Sequence, residues 1–124
     1  ITMKNLRISF DFDETLDQIP VQNLCKKFIS LGAEVFVTTS RATKMHGGMI
    51  LHNEDLFQLT DFLGIKRENI IFTSYSDKYE FTKGFDIHID NDELEIGLIN
   101  DFPGKCLGFL YEHNFRQEQK QAKF

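Results

Sequence analysis

The chain has no tryptophan, only two cysteines and no block of lysine or arginine, and none of its apolar runs is long enough to cross a membrane. Each shortage narrows the field. A spanning helix needs about 20 consecutive apolar residues, and the first residues lack the basic and apolar regions of a signal peptide. Fourteen Lys and Arg stand against nineteen Asp and Glu, a formal charge of −5, and a field of that sign repels nucleic acid rather than collecting it. Cys25 and Cys106 have neither metal-ligand spacing nor the density of a disulfide scaffold. They read as buried thiols of a reducing, cytoplasmic compartment. Repeats, low-complexity tracts and linkers are missing too. The 124 residues read as one soluble domain, and the 13 phenylalanines say how its core is filled rather than what it does.

What is present is the stretch Leu6-Arg-Ile-Ser-Phe-Asp-Phe-Asp-Glu-Thr-Leu16, an apolar run that ends in two aspartates one residue apart. Residues i and i+2 of a strand point to the same side, so Asp11 and Asp13 can converge where the strand leaves its sheet. Two carboxylates that close do not both stay charged in a dry site: a cation sits between them, or one keeps a proton. One ionised and one protonated carboxylate is the equipment for nucleophilic attack with general acid catalysis. A solvated acidic turn is the plainer alternative. A calcium loop fits less well, because Leu16 stands where its glycine belongs and a strand-like run, not a helix, precedes it.

The rest of the chain alternates. Strands are expected at Leu6–Phe12, Glu34–Thr39, Asn69–Thr73, Phe85–Asp90 and Lys105–Tyr111. A helix is expected over Pro20–Leu31, with Val21, Leu24, Cys25, Phe28 and Leu31 on one face and Gly32 as its stop. Another follows the cap Asn53, with Leu56, Leu59, Phe62 and Leu63 inward and Gly64 as its stop. Shorter helices are expected from Ser76 through Lys83 and over Asp92–Ile99. This alternation predicts an α/β fold with a doubly wound, mostly parallel five-stranded sheet. It takes in residues 3–112, followed by a polar extension over 113–124.

In such sheets ligands bind beyond the carboxyl ends of the strands, where strand order reverses, so polar residues at several strand ends belong to one site. Strand one ends in Asp11 and Asp13, strand two in Thr38, Thr39 and Ser40 followed by Arg41, and strand four in Asp90, Asn91 and Asp92. Lys78 opens a helix, where a cation opposes the dipole and is better explained by work at the site, whereas its rival Lys83 suits a last turn. Alternation puts Thr38 on the opposite face from Thr39, which favours Thr39 over Thr38 and Ser40 as the working hydroxyl. His46, His52, His88 and His113 are scattered and read as core or surface histidines, with His88, next but one to Asp90, placed to face the site from below.

On these residues the chain resembles the haloacid dehalogenase superfamily, in particular its magnesium-dependent phosphatases, from Leu6 to Tyr111. The resemblance rests on Asp11-x-Asp13-x-Thr15 after an apolar strand, Thr39 closing the second strand, a lysine, and an acidic cluster closing a later strand. It implies that Asp11 is a nucleophile forming an aspartyl-phosphate and that Asp13 is the general acid and base. Thr39 and Lys78 would bind the phosphoryl group, with Ser40 beside them, and Arg41 is either a surface charge or a further substrate contact. Magnesium would be held by Asp11, the backbone carbonyl of Asp13, Asp90 and Asn91, and Thr15 would close the turn. These types suit phosphoryl transfer, which is mostly positioning and charge neutralisation, and magnesium, which takes oxygen ligands. Many relatives have paired aspartates where this chain has Asp90-Asn91-Asp92, which leaves open whether Asn91 or Asp92 is the ligand. The Asp-Asn pair is similar to that of the phosphatases acting on the RNA polymerase C-terminal tail, which also carry Asp-x-Asp-Glu-Thr.

Relatives usually carry a cap domain after the first motif or between strands two and three. Here Leu16–Ile19 is too short for one and Ala42–His52 holds only a loop, so no cap domain is expected. Water is then excluded by the substrate, a loop or a neighbouring subunit. The implied substrate is a nucleotide, a phosphorylated nucleic-acid end or a phosphoprotein in an open groove, with nucleic acid disfavoured by charge. The alternative is a homo-oligomer that covers its own sites. The Gly47-Gly48 loop, with Met45, His46 and Met49, is either a substrate contact or a plain surface connection. Two other functions stay open. One is a non-catalytic binding or regulatory protein that keeps the fold, although Asp11, Asp13, Thr39, Lys78 and Asp90 are all present. The other is a phosphotransferase or mutase, which generally needs a cap.

Overall fold

Short runs of Val, Ile, Phe, Leu and Thr form the strands β1 (Arg7–Phe10), β2 (Glu34–Thr39), β3 (Ile70–Phe72), β4 (Ile87–Asp90) and β5 (Leu107–Leu110). All neighbours pair in parallel, in the order β3-β2-β1-β4-β5. The helices are α1 (Ile19–Ser30), α2 (Glu54–Leu63) and α3 (Glu93–Asp101). The structure, a computed structural model, describes residues 2–43 and 52–112. His46, the Gly47-Gly48 loop with Met45 and Met49, His113 and the extension over 113–124 lie outside the described residues. The doubly wound sheet expected from the alternation is present. No helix among the described residues is long and apolar enough to cross a membrane.

The chain runs outward from β1 through β2 to β3, then returns to place β4 on the other side of β1. Strand order therefore reverses between β1 and β4, and a crevice opens at their carboxyl ends. Asp11 follows β1 and Asp90 ends β4, so the topology alone brings these two carboxylates to the switch point.

The two faces of the sheet differ. On one, Ile8, Phe10, Val35 and Val37 pack with Val21 and Cys25 of α1 and Leu56 and Leu63 of α2 in the larger core. On the other, Phe36 packs with Phe85, Cys106 and Ile99 of α3 in a smaller one. Alternation puts Ser9, Thr38 and His88 on this second side, and all three are fully buried polar residues.

β1, β3, β4 and β5 are shorter than their sequence patterns, β2 keeps Glu34–Thr39, and α3 runs on to Asp101. β1 stops at Phe10, and Phe12–Leu16 forms one wide turn closed by Leu16 N–H to the Asp11 carbonyl and Asp17 N–H to the Phe12 carbonyl. The helix expected after Ser76 is a single tight turn, Lys78–Glu80. Two residues read as inward point out: Leu24 is 39% exposed and Phe62 is 71% exposed. Helix α2 faces the core through Leu56, Thr60 and Leu63 instead. Thr60 is tolerated there because its hydroxyl donates to the Phe57 carbonyl at 3.2 Å. Phe62 lies on the outer side, with the Lys26 ammonium 5.0 Å from its ring centroid.

This difference is measurable. Leu56→Ala should lower stability by about 2–5 kcal/mol, whereas Phe62→Ala should stay within about 1 kcal/mol of wild type. Urea unfolding of both variants checks it, and equal losses would place Phe62 in the core.

Candidate active site

The last ladder bond of β1 runs from Asp11 N–H to the Ile89 carbonyl at 2.8 Å, which ties the start of the turn to β4. The turn itself needs a left-handed residue, and Glu14 takes it at φ +61°. Phe12, Thr15 and Leu16 are buried beneath the turn, so Asp11 is held from below.

Lys78 joins the two strand ends. Its buried Nζ donates to Asp11 Oδ1 at 2.6 Å and to Asp90 Oδ2 at 2.7 Å. Its own backbone N–H donates to Glu95 Oε2 at 2.8 Å, which fixes the residue against α3. The Thr15 hydroxyl lies 3.1 Å from Asp11 Oδ2 and 3.2 Å from Asn91 Oδ1. Asp90 Oδ1 accepts the Asp92 N–H at 3.0 Å, while its Oδ2 also meets His88 Nε2 at 2.9 Å.

The charges are unequal in consequence. Burial, reinforced by the charge of Asp90, pushes Asp11 up to about 7, and Lys78 and Thr15 offset only part of this. Burial would raise Asp90 as well, but the hydrogen bond from His88 and the charge of Lys78 outweigh it and pull Asp90 down to about 2. Burial alone would lower Lys78, yet its two carboxylates hold it above its ordinary value. Burial pushes His88 below its usual range.

Above these groups lies an open cavity of about 470 Å³. Among the described residues six carboxylates line it (Asp11, Asp13, Glu14, Asp90, Asp92 and Glu93), with the Lys78 ammonium inside and the Arg41 guanidinium on Asp13. Burial, with Asp90 close by, keeps Asp11 raised in spite of Lys78, and a hard divalent cation bound by oxygens would offset that cost. Among the described residues no three His, Cys, Asp or Glu side chains form a preformed metal cluster. The donors that fit are two carboxylates, a backbone carbonyl and an amide, a sparse set of the kind that magnesium completes with water.

The other expected site residues are placed as follows. Arg41 forms two bonds to Asp13, Nη2 to Oδ1 at 2.7 Å and Nε to Oδ2 at 3.0 Å, and two to Asp55, Nη1 to Oδ1 at 2.7 Å and Nη2 to Oδ2 at 2.9 Å. It also lies 4.9 Å over the Phe12 ring. The hydrogen bonds it donates to Asp55 and Asp13 hold its pKa above the ordinary value. The Asp13 side chain is 54% exposed. Ser40 lines the cavity, whereas Thr39 is buried, with its hydroxyl oxygen accepting the Arg41 N–H at 3.3 Å. Thr38 does lie opposite Thr39, but it is Thr38 that shares the face of Ser9 and His88, its hydroxyl 2.7 Å from Ser9 Oγ. Asp92 caps α3, accepting from Leu94 N–H and Glu95 N–H. Lys83 is exposed, and so is His52, which pairs with Glu54.

Sequence reading missed Glu95, Asp55, Asn53 and Ser9. Asn53 precedes α2 without the side-chain cap bond expected of it: its amide donates to the Ala42 carbonyl at 3.0 Å and its oxygen faces Arg41. For Ser9 a signal existed, since it is a polar residue inside an otherwise apolar strand. Compared with family models, curated proteins and solved structures, the chain gives no match.

The raised carboxyl of Asp11 has a thermodynamic signature. Its folded pKa lies above its unfolded value, so the native state binds the extra proton and loses stability as pH rises from about 4 through 7. Asp11→Asn removes the penalty. Without added metal its stability should exceed that of wild type by a margin that grows across this window, to about 4 kcal/mol at most. Millimolar magnesium should shrink the margin. Urea unfolding at a series of pH values tests this, and a margin flat in pH would remove the raised carboxyl from Asp11.

Proposed function

We propose that the chain is a magnesium-dependent phosphomonoester hydrolase of the haloacid dehalogenase type, working through an aspartyl-phosphate on Asp11. The observation that carries this reading is the buried Lys78 ammonium, shared between Asp11 and Asp90 at 2.6 and 2.7 Å beneath an open, acid-lined cavity. Magnesium would be held by Asp11, Asp90, the Asp13 carbonyl and Asn91, and when bound it supplies the positive charge that lets a phosphate dianion enter. Asp92 stays the rival ligand to Asn91, since capping α3 engages its Oδ1 alone while Asn91 Oδ1 meets the Thr15 hydroxyl.

The chain's own groups then divide the work. Lys78 uses two of its N–H bonds on Asp11 and Asp90 and keeps a third for a phosphoryl oxygen. Thr39 accepts from the Arg41 N–H, which leaves its O–H to donate. The Asp11 carboxylate attacks phosphorus as the ester oxygen departs, and Asp13 gives that oxygen a proton. In the second half Asp13 takes a proton from water, the resulting hydroxide attacks phosphorus, and Asp11 is released. Asp13 reaches the leaving oxygen only after giving up its Arg41 bonds, and its exposure allows that movement. Arg41 stays anchored by Asp55 meanwhile.

An open cavity suits a phosphate displayed on a larger molecule, with water kept out by the substrate itself. A nucleotide or phosphoprotein fits the charge of −5 better than a nucleic-acid end. One observation favours a second reading, a non-catalytic binding protein: both Asp13 oxygens are engaged by Arg41.

Turnover separates the two. Hydrolysis of an aryl phosphate should require magnesium, stop with chelator, and fall by on the order of a thousandfold or more in Asp11→Asn. Substantial magnesium-dependent activity in that variant would remove Asp11 as nucleophile. If wild type neither turns over a panel of nucleotides and phosphopeptides nor binds beryllofluoride, the binding-protein reading stands instead.

A further inference from the structure

The proposed reaction gives no task to His88, yet this ring is fully buried in the sheet and bonded at both nitrogens. Its Nε2 lies 2.9 Å from Asp90 Oδ2 and its Nδ1 lies 3.1 Å from Ser9 Oγ, which in turn is 2.7 Å from Thr38 Oγ1. Ser9 and His88 are register partners across β1 and β4, and Thr38 reaches in from β2. The chain of bonds therefore crosses three neighbouring strands.

Proton positions follow from the partners. An ionised carboxylate only accepts, so Nε2 carries the hydrogen. Lys78 Nζ is already 2.7 Å from the same Asp90 oxygen, and a second full positive charge in this dry place is costly, so the ring is neutral. Nδ1 is then an acceptor and takes the Ser9 hydroxyl hydrogen. Ser9 has no other hydrogen on its oxygen, so the Thr38 hydroxyl donates to Ser9 Oγ.

Asp90 is thus held by His88 Nε2 and Lys78 Nζ on Oδ2 and by the Asp92 N–H on Oδ1. Both lone pairs of Oδ2 are engaged, one remains on Oδ1, and the carboxylate has no freedom to rotate. Apolar residues at these three positions would fill the same space without burying polar groups, so packing alone does not call for the chain.

We propose that His88 is a positioning residue: its Nε2–H, aimed by Ser9 and Thr38, fixes the plane of Asp90, so that the free Oδ1 lone pair and the shared Lys78 ammonium meet the cavity in one arrangement. The role presupposes the proposed function in one respect, that Asp90 binds a cation, and it extends the site to side chains that do not line the cavity. Groups that orient metal ligands typically matter about 10- to 100-fold in affinity or activity.

Two isopolar variants separate positioning from packing. Gln sets its amide nitrogen near the place of imidazole Nε2, and Asn near that of Nδ1. His88→Gln therefore keeps a donor for Asp90 and His88→Asn removes it, while both disturb the core. Calorimetric titration of the full chain with magnesium and with manganese should show His88→Asn weakened about 10- to 100-fold and His88→Gln by clearly less. Equal weakening of the two, or none in either, overturns the role, as does a wild type that binds neither ion. Aryl phosphate turnover is measured in parallel: cation binding without turnover sinks the hydrolase and leaves the His88 comparison standing. If the variants do not fold, nitrogen-15 spectra of the wild-type ring decide. A hydrogen on Nε2 with bare Nδ1 supports the role, and an imidazolium or an Nδ1–H tautomer overturns it.

Discussion

The ammonium of Lys78 between Asp11 and Asp90 is the interaction on which the rest depends. Two carboxylates buried side by side repel each other and have lost their water, and removing a partner from such a buried group costs about 3–5 kcal/mol. The fold is arranged to deliver that one nitrogen. The chain leaves β3 through Ser74 and Tyr75, consecutive residues at φ +52° and +67°, each disfavoured by about 1–2 kcal/mol for an L-residue. Their N–H groups are tied to the Arg41 and Ser40 carbonyls. Glu95 then anchors the Lys78 backbone. The local strain, about 2–4 kcal/mol over the two residues, is of the same order as that loss.

Much of the fold was legible. The period of α1 and α2, the glycines after them and the apolar runs between them sufficed for a doubly wound parallel sheet, and Asp11, Asp13, Ser40, Asp90, Asn91 and Asp92 from three strand ends line one cavity, whereas Thr38 and Thr39 do not. What stayed hidden depended on partners distant in sequence. Phe62 repeats with the period of a core residue, yet Thr60 takes the inward place because a local backbone bond hides its hydroxyl. The length of β1 depends on where Asp11 leaves the sheet, which hydropathy does not record. His88 was visibly a polar residue among isoleucines, but its partners Ser9 and Thr38 lie 79 and 50 positions earlier in the chain.

Arg41 shows the same limit at the rim of the site. A cation after strand two reads either as a surface charge or as a substrate contact, and nothing nearby in sequence decides between them. In the structure it is divided between Asp13 and Asp55, the latter in the first turn of α2. The Asp13 carboxylate is thereby tied to the first turn of α2, so the placing of that helix and of Asp13 are coupled through one guanidinium.

The buried chain Thr38-Ser9-His88 also bears on how the sheet assembles. Parallel strands rich in Ile, Val and Phe offer weak instructions about alignment, since many offsets pair apolar side chains equally well. A slip of β4 by one position against β1 would set an isoleucine opposite Ser9 and turn His88 into the oily side under α1 and α2. It would also carry Asp90 away from Lys78. Misalignment and loss of the acid pair are one event, so a chain that has found the right offset has already built the floor of its site.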